Sequence, residues 1–218
     1  MSKNAFNHFI ISVEEFFNQN KRDLPWRKKT PVAYEVWLSE IILQQTRVTQ
    51  GTPYYKKLLA TYPTIKALAE APEDELLALW TGLGYYSRAR NLQKGAAQIM
   101  AEFDGQLPST SEDLLSIKGI GPYTAAAIAS ICFGERKGVV DGNVYRVLSR
   151  YFGIHSPINQ GSGPKEFQEL ADELVQQAIN PGNYNQGIME FGALHCTPKK
   201  PHCETCRLAS FCNAHQHQ

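Results

Sequence analysis

Leu114 to Asp141, LLSIKGIGPYTAAAIASICFGERKGVVD, decides how this chain reads. An apolar helical turn breaks at Lys118-Gly119-Ile120-Gly121-Pro122, and an alanine-rich helix is expected from Tyr123 to about Phe133. Gly119 and Gly121 permit backbone conformations and close approaches that a Cβ forbids, and Pro122 suits the first turn of the helix that follows. Backbone N–H groups at such a helix start welcome a phosphate oxygen. Taken alone, the Gly-x-Gly hairpin reads equally well as a tightly packed helix-turn-helix corner. Beyond it, Val139-Val140-Asp141-Gly142-Asn143-Val144 sets an acid behind an apolar pair, at the opening of another helix.

Working outward, 218 residues are enough to bury a sizeable core, and the net charge of +1 does not by itself announce a nucleic-acid partner. Basic residues do gather locally, at Lys21, Arg22, Arg27, Lys28 and Lys29 and again at Arg88, Arg90 and Lys94, although such groups are usually solvated faces. No apolar run reaches the roughly 18 residues of a membrane span, and the first residues lack a signal peptide's pattern. The expectation is a cytoplasmic protein with no membrane segment, monomeric by default. Four of the five cysteines crowd the C-terminal end, as Cys196, Cys203, Cys206 and Cys212. Without a secretion signal they favour a metal site over disulfides, either zinc or an iron–sulfur cluster. Cys132 reads as a small buried hydrophobe.

Phe6, Phe9, Ile10, Val13, Phe16 and Phe17 fall at helical spacing and give an amphipathic first helix ending before Lys21. In AYEVWLSEIILQQTRVT, residues 33–49, a helix puts Glu40 on one face with Val36, Trp37, Leu43 and Gln44. A carboxyl so desolvated is expected to have a raised pKa, as a general acid needs; a structural ion pair is the plainer alternative. From Gly51 to Met100 the pattern is helical, with breaks expected at Pro53, Pro63, Pro72 and Gly82 to Gly84. No stretch alternates with period two, so no sheet is expected. Gly82-Leu83-Gly84-Tyr85-Tyr86 sets two aromatic rings at a turn where they would wedge between bases, with one of the two expected in the core. Ser109 with Glu112 reads as a capping box opening the hairpin's first helix. After Asp141 three more helices follow, the second near Lys165 to Ile179.

LLSIKGIGPYTAAAIAS and VVDGNVYRVLSR together resemble the helix-hairpin-helix DNA glycosylase superfamily, and WLSEIILQQTRVTQGTPYY, GLGYY and the cysteine spacing are similar to its MutY-type adenine DNA glycosylases. The resemblance covers Phe6 to Cys212. It implies an all-α fold of two modules, a six-helix barrel carrying the hairpin at 30–132 and an iron–sulfur module made of 1–29 plus 133–218. It also implies double-stranded DNA with adenine mispaired to 8-oxoguanine or guanine as the partner. By that match Glu40 protonates the adenine, Asp141 stabilises the cationic sugar, Asn143 orients Asp141 and Tyr123 lines the site. Gln45 enters the base stack, Tyr85 and Tyr86 form the wedge, and Gly119 and Gly121 make the hairpin. Trp26, Arg27 and Leu43 wall the pocket, Glu190 contacts the base, and Cys196, Cys203, Cys206 and Cys212 hold a [4Fe-4S] cluster. Superfamily members that also cut the strand place a lysine where Tyr123 stands. With no amine there, a Schiff base at that position is excluded and a monofunctional enzyme is implied.

MutY-type enzymes usually continue into a domain that recognises 8-oxoguanine, whereas this chain stops six residues after Cys212. If that domain is truly absent, a weaker preference for 8-oxoguanine over guanine is expected. Two other readings stand beside this one: a glycosylase for another base, such as thymine opposite guanine, and a non-catalytic DNA-binding module. The second has to explain two retained carboxylates, which oppose affinity for phosphates.

Overall fold

The structure is a computed structural model and describes residues 3–217. Those residues form helices and turns with no strand among them. In chain order the helices are α1 (Lys3–Asn20), α2 (Ala33–Leu43), α3 (Val48–Thr61), α4 (Ile65–Ala69), α5 (Glu73–Trp80), α6 (Ser87–Glu102), α7 (Ser111–Leu115), α8 (Pro122–Phe133), α9 (Gly142–Phe152), α10 (Gly163–Gln176), α11 (Pro181–Leu194) and α12 (Asn213–Gln216). Single 3-10 turns at Cys203–Thr205 and Ala209–Phe211 precede the last. No helix among the described residues is long and apolar enough to cross a membrane. The chain divides into two compact units, one of Met1–Arg22 with Gly134–Gln218 and the other of Asp23–Phe133.

The Asp23–Phe133 unit is built around α2. Tyr34, Val36, Trp37, Leu38, Ile41 and Ile42 are all buried, so the helix is apolar around most of its circumference and needs neighbours on several sides. α3, α6 and α8 supply them. Leu24 and Trp26 belong to the same core, which draws the stretch ahead of α2 into this unit. α8 packs on α2, and Ala125 and Ala129, one turn apart on the same face of α8, are buried in the same core as Trp37, Ile41 and Ile42. α3 runs through Pro53 where a break is expected, forgoing only the bond a Pro53 N–H would have made. α7 is capped one residue later than Ser109, by Thr110, whose hydroxyl accepts from the Asp113 N–H at 3.1 Å. Gly119 has φ +87°, and a Cβ there would lie 2.9 Å from the Asn91 Cβ, so the hairpin requires glycine at this position.

The other unit is tied by its first helix. Phe9 meets Tyr151 at 4.7 Å and Phe152 at 5.2 Å between ring centres, Phe16 meets Phe191 at 5.1 Å, and the Tyr151 hydroxyl donates to Ala5 O at 2.9 Å. α11 packs on α1 and α9. Gly187 and Gly192 allow this, since a Cβ on Gly192 would come within 2.7 Å of the Asn143 Cβ.

Candidate active site

In the Asp23–Phe133 unit, Glu40 sits in the last turn of α2 and is half-buried rather than sealed in. Its carboxylate acts on Cys132 of α8. Burial first and the Glu40 charge second push the Cys132 thiol up to about 12. Tyr123 is half-buried in the first turn of α8. Gly121 is exposed, and a Cβ there would meet nothing within 4 Å inside the chain, so the reason for a glycine is not internal packing. Trp26 is 8% exposed and edge-on to Tyr55 at 5.1 Å, which leaves it little surface to offer a base. Leu43 packs half-buried on the same core, and the Arg27 N–H closes a turn to Leu24 O at 2.8 Å.

Gln45 is exposed in the turn after α2, with φ 56°. Tyr85, with φ 48°, is 63% exposed and Tyr86 38% exposed, so both rings stand outside the core where one had been expected inside. Left-handed backbone at a non-glycine residue persists only where surrounding structure imposes it. Here Arg88 does so. It is 9% exposed, and its guanidinium donates to the carbonyls of Ile41, Ile42, Gln44, Leu83 and Gly84 at 2.5–3.2 Å.

In the other unit, Asp141 caps α9. Its Oδ1 accepts from the N–H groups of Asn143 at 2.9 Å and Val144 at 2.8 Å, and its Oδ2 accepts from Asn143 Nδ2 at 2.8 Å. Three donors at a helix N-terminus make surroundings that suit an anion. Asn143 is fixed in turn by Arg146 Nη2, which donates to its Oδ1 at 2.8 Å and to Gly192 O at 2.7 Å, while Arg146 Nε donates to Cys196 O at 2.8 Å. The approach to Asp141 is held from behind. Asn185, 1% exposed, accepts from Val139 N–H at 3.3 Å and donates to Lys137 O at 2.8 Å, and Asp172 accepts from Gly138 N–H at 2.8 Å. Glu190 stands otherwise than the sequence suggests. It is 1% exposed, and Arg22 occupies it through its backbone N–H at 2.9 Å and through Nε and Nη2 at 2.8 Å. An internal ion pair thus takes both oxygens of the carboxylate expected to meet the base.

Local sequence marks no role for Arg146, Asn185 or Asp172, and shows Arg88 only as part of a basic group. Each acts on backbone groups distant in the chain, 46 residues away for the bond from Asn185 to Val139, and nothing in local spacing marks such a pairing.

All four C-terminal cysteines line one cavity of about 130 Å³ with Val147, Tyr151, Phe191 and Leu208 as apolar wall. Among the described residues no three His, Cys, Asp or Glu side chains are grouped closely enough to hold a metal ion. Burial pushes Cys206 up to about 11 and raises Cys212 as well. Arg150 Nη1 lies 3.4 Å from Cys196 Sγ, ready to donate to a sulfur. Four thiolates around one cavity are the donor set of a compact, multi-iron cationic core, and the apolar wall with an arginine beside one sulfur suits it.

Residues 38–177 match the HhH-GPD superfamily of base excision DNA repair proteins, and residues 196–212 match the iron-sulfur binding domain of endonuclease III. The adenine DNA glycosylase of Rattus norvegicus is 44% identical over 220 residues, covering 97% of this chain and 42% of that protein. That of Homo sapiens is 45% identical over 216 residues, covering 95% and 39%. That of Buchnera aphidicola subsp. Schizaphis graminum is 41% identical, covering 97% and 60%. The chain therefore spans 39–60% of the length of these relatives. Among solved structures, a thermostable thymine-DNA glycosylase superposes with a TM-score of 0.89 at 29% identity, over 99% of this chain and 98% of that one.

Proposed function

Because the chain belongs to the HhH-GPD superfamily of base excision DNA repair proteins, we propose that it is a monofunctional adenine DNA glycosylase, acting on double-stranded DNA that carries adenine opposite 8-oxoguanine or guanine. The observation that carries the proposal is Asp141, held by three N–H donors at the start of α9 with Asn143 locked behind it. Identities of 44% and 45% to curated adenine glycosylases support adenine as the base.

Adenine leaves poorly as an anion. Glu40 donates a proton to N7, the C1′–N9 bond breaks with its electron pair going to the base, and neutral adenine departs. The cationic sugar left behind is stabilised by the Asp141 carboxylate. Water then adds at C1′ and loses a proton, leaving an abasic site. Tyr123 stands where a lysine would be needed for a Schiff base, so the strand is left uncut at this step. Extruding the base costs a few kcal/mol, less at a mispair, which favours mispaired adenine. Gln45, Tyr85 and Tyr86 fill the stack it vacates.

The cofactor is a [4Fe-4S] cluster, which Cys196, Cys203, Cys206 and Cys212 would hold. Bound by these four thiolates, it would supply a cross-link for the loop that carries Lys199, Lys200 and Arg207.

The test is release of free adenine in a single turnover from duplexes with A opposite 8-oxoguanine and A opposite guanine, using wild type, Glu40→Gln and Asp141→Asn. Wild-type release that both variants abolish supports the proposal; equal release by all three sinks the assigned roles. A second reading, removal of thymine opposite guanine, is favoured by the TM-score of 0.89 to a thymine-DNA glycosylase. A T·G duplex in the same assay decides between them.

A further inference from the structure

Among the described residues, non-glycine positions with positive φ are Gln45, Tyr85 and Asp104. Asp104 lies in a turn between α6 and α7, whereas the other two are exposed side chains next to backbone that one buried cation holds. Arg88 Nη1 reaches the carbonyl before Gln45, Gln44 O, at 2.5 Å, together with Ile41 O at 3.1 Å and Ile42 O at 2.9 Å. Nη2 reaches the carbonyl before Tyr85, Gly84 O, at 3.2 Å, and Leu83 O at 3.1 Å. The guanidinium carbon lies 5.6 Å from the Tyr85 ring centre and 5.4 Å from that of Trp80. The acceptors at α2 are the carbonyls that a helix end leaves without partners, and a cation there also suits the helix dipole. One planar fork thus holds two turns whose side chains point outward. A lysine ammonium, with one nitrogen, cannot span both sets of carbonyls.

We propose that Arg88 is a positioning residue that joins the Gln45 turn and the Tyr85 turn into one rigid probe, so that both side chains enter the DNA stack as a unit. The inference rests on the reading of the protein as a DNA glycosylase. Its consequence is energetic coupling. With the probe intact, the two side chains enter the stack only together, so a probe lacking either one forfeits the other's insertion as well and the two losses overlap.

The experiment is a double-mutant cycle read by binding, independent of base release. Wild type, Gln45→Ala, Tyr85→Ala and the double variant are titrated against a mispaired duplex carrying 2-aminopurine beside the adenine, whose fluorescence rises on unstacking. The cycle is repeated in the presence of Arg88→Lys. With Arg88 intact, each single change weakens binding about tenfold and the double change little more. With Arg88→Lys the losses multiply, to about a hundredfold for the double change relative to Arg88→Lys alone. A purely structural Arg88 would lower the melting temperature and all affinities by a common factor, leaving the relation between the cycles unchanged, and that result overturns the proposal. Losses that multiply with Arg88 intact overturn it too, whether or not Arg88→Lys folds. Failure of the wild type to bind any mispaired duplex removes the glycosylase reading together with this one; binding with multiplied losses removes this one alone.

Discussion

Replacing Gly192 by alanine probes the support behind Asp141 with a single methyl group. The added Cβ would stand 2.7 Å from Asn143 Cβ, 3.1 Å from Asn143 O and 3.3 Å from Asn143 C. Carbon atoms in contact rest at about 3.5–4.0 Å, so α9 and α11 must separate by about 1 Å. Two of the three obstructing atoms are backbone and cannot swing aside. The separation strains the Arg146 bonds to Gly192 O and Asn143 Oδ1, now 2.7 and 2.8 Å. Overpacking of this kind costs about 1–3 kcal/mol, and each kcal/mol lowers Tm by about 2–4 °C in a protein of this size. Displacing Asn143 by about 1 Å from behind Asp141 is expected to slow single-turnover base release about a hundredfold, measured well below Tm. Gly142→Ala is the control: it adds the same methyl one residue after Asp141, where nothing lies within 4 Å, and is expected to leave Tm unchanged or slightly raised. If Gly192→Ala melts and reacts like wild type, the helices do not meet at Asn143 as described, and the reasoning fails.

Asp141→Asn should fold with a loss of less than about 1 kcal/mol, because asparagine caps helices nearly as well as aspartate, while base release disappears; a collapse of Tm would show that the anion is structural. Cys132 carries a folded-state pKa of about 12 against an ordinary 9.0, so its contribution to stability is complete below about pH 9 and is lost as pH rises from 9 towards 12. In native protein at pH 8.5 its alkylation, mapped by mass spectrometry, should run about a thousandfold slower than that of a free thiol, and Glu40→Gln should quicken it by removing the nearby charge. Glu190→Ala leaves Arg22, 38% exposed, to find water, so the loss should be no more than about 3 kcal/mol in a urea titration; no loss would mean the pair contributes nothing. Removing iron by oxidation and chelation should abolish the visible absorbance and expose residues 196–217 to protease before any site between 33 and 133 is cut.

The helices were legible from the sequence because their apolar residues repeat at 3.6, as in α1, or fill whole stretches, as in α2 and α8. The cysteine cluster and the place of Asp141 at the head of a helix were legible because each stands in a short motif whose neighbours are adjacent in the chain. The misreadings have physical causes. Thr110 and Ser109 offer the same hydroxyl, and only the backbone at the helix start selects between them. The tyrosine expected in the core is outside because positive φ at Tyr85 turns the loop outward, a constraint set by an arginine that bonds to carbonyls 44 to 47 residues away. Glu190 is taken by Arg22, 168 positions earlier, which no local pattern records.

The division of the chain has a consequence for how the protein is made. Residues 23–133 are contiguous, so that unit can fold as soon as it leaves the ribosome. The first helix has no such option. Its partners are Tyr151 for Ala5, 146 positions on, and Arg207 for His8, 199 positions on. During synthesis α1 must therefore wait with Phe6, Phe9, Phe16 and Phe17 uncovered, a long-range closure that slows folding and exposes a sticky surface. Residues 196–212 also emerge long after α1, so the loop that carries the four cysteines closes onto a helix made far earlier, by 199 positions where Arg207 O meets His8.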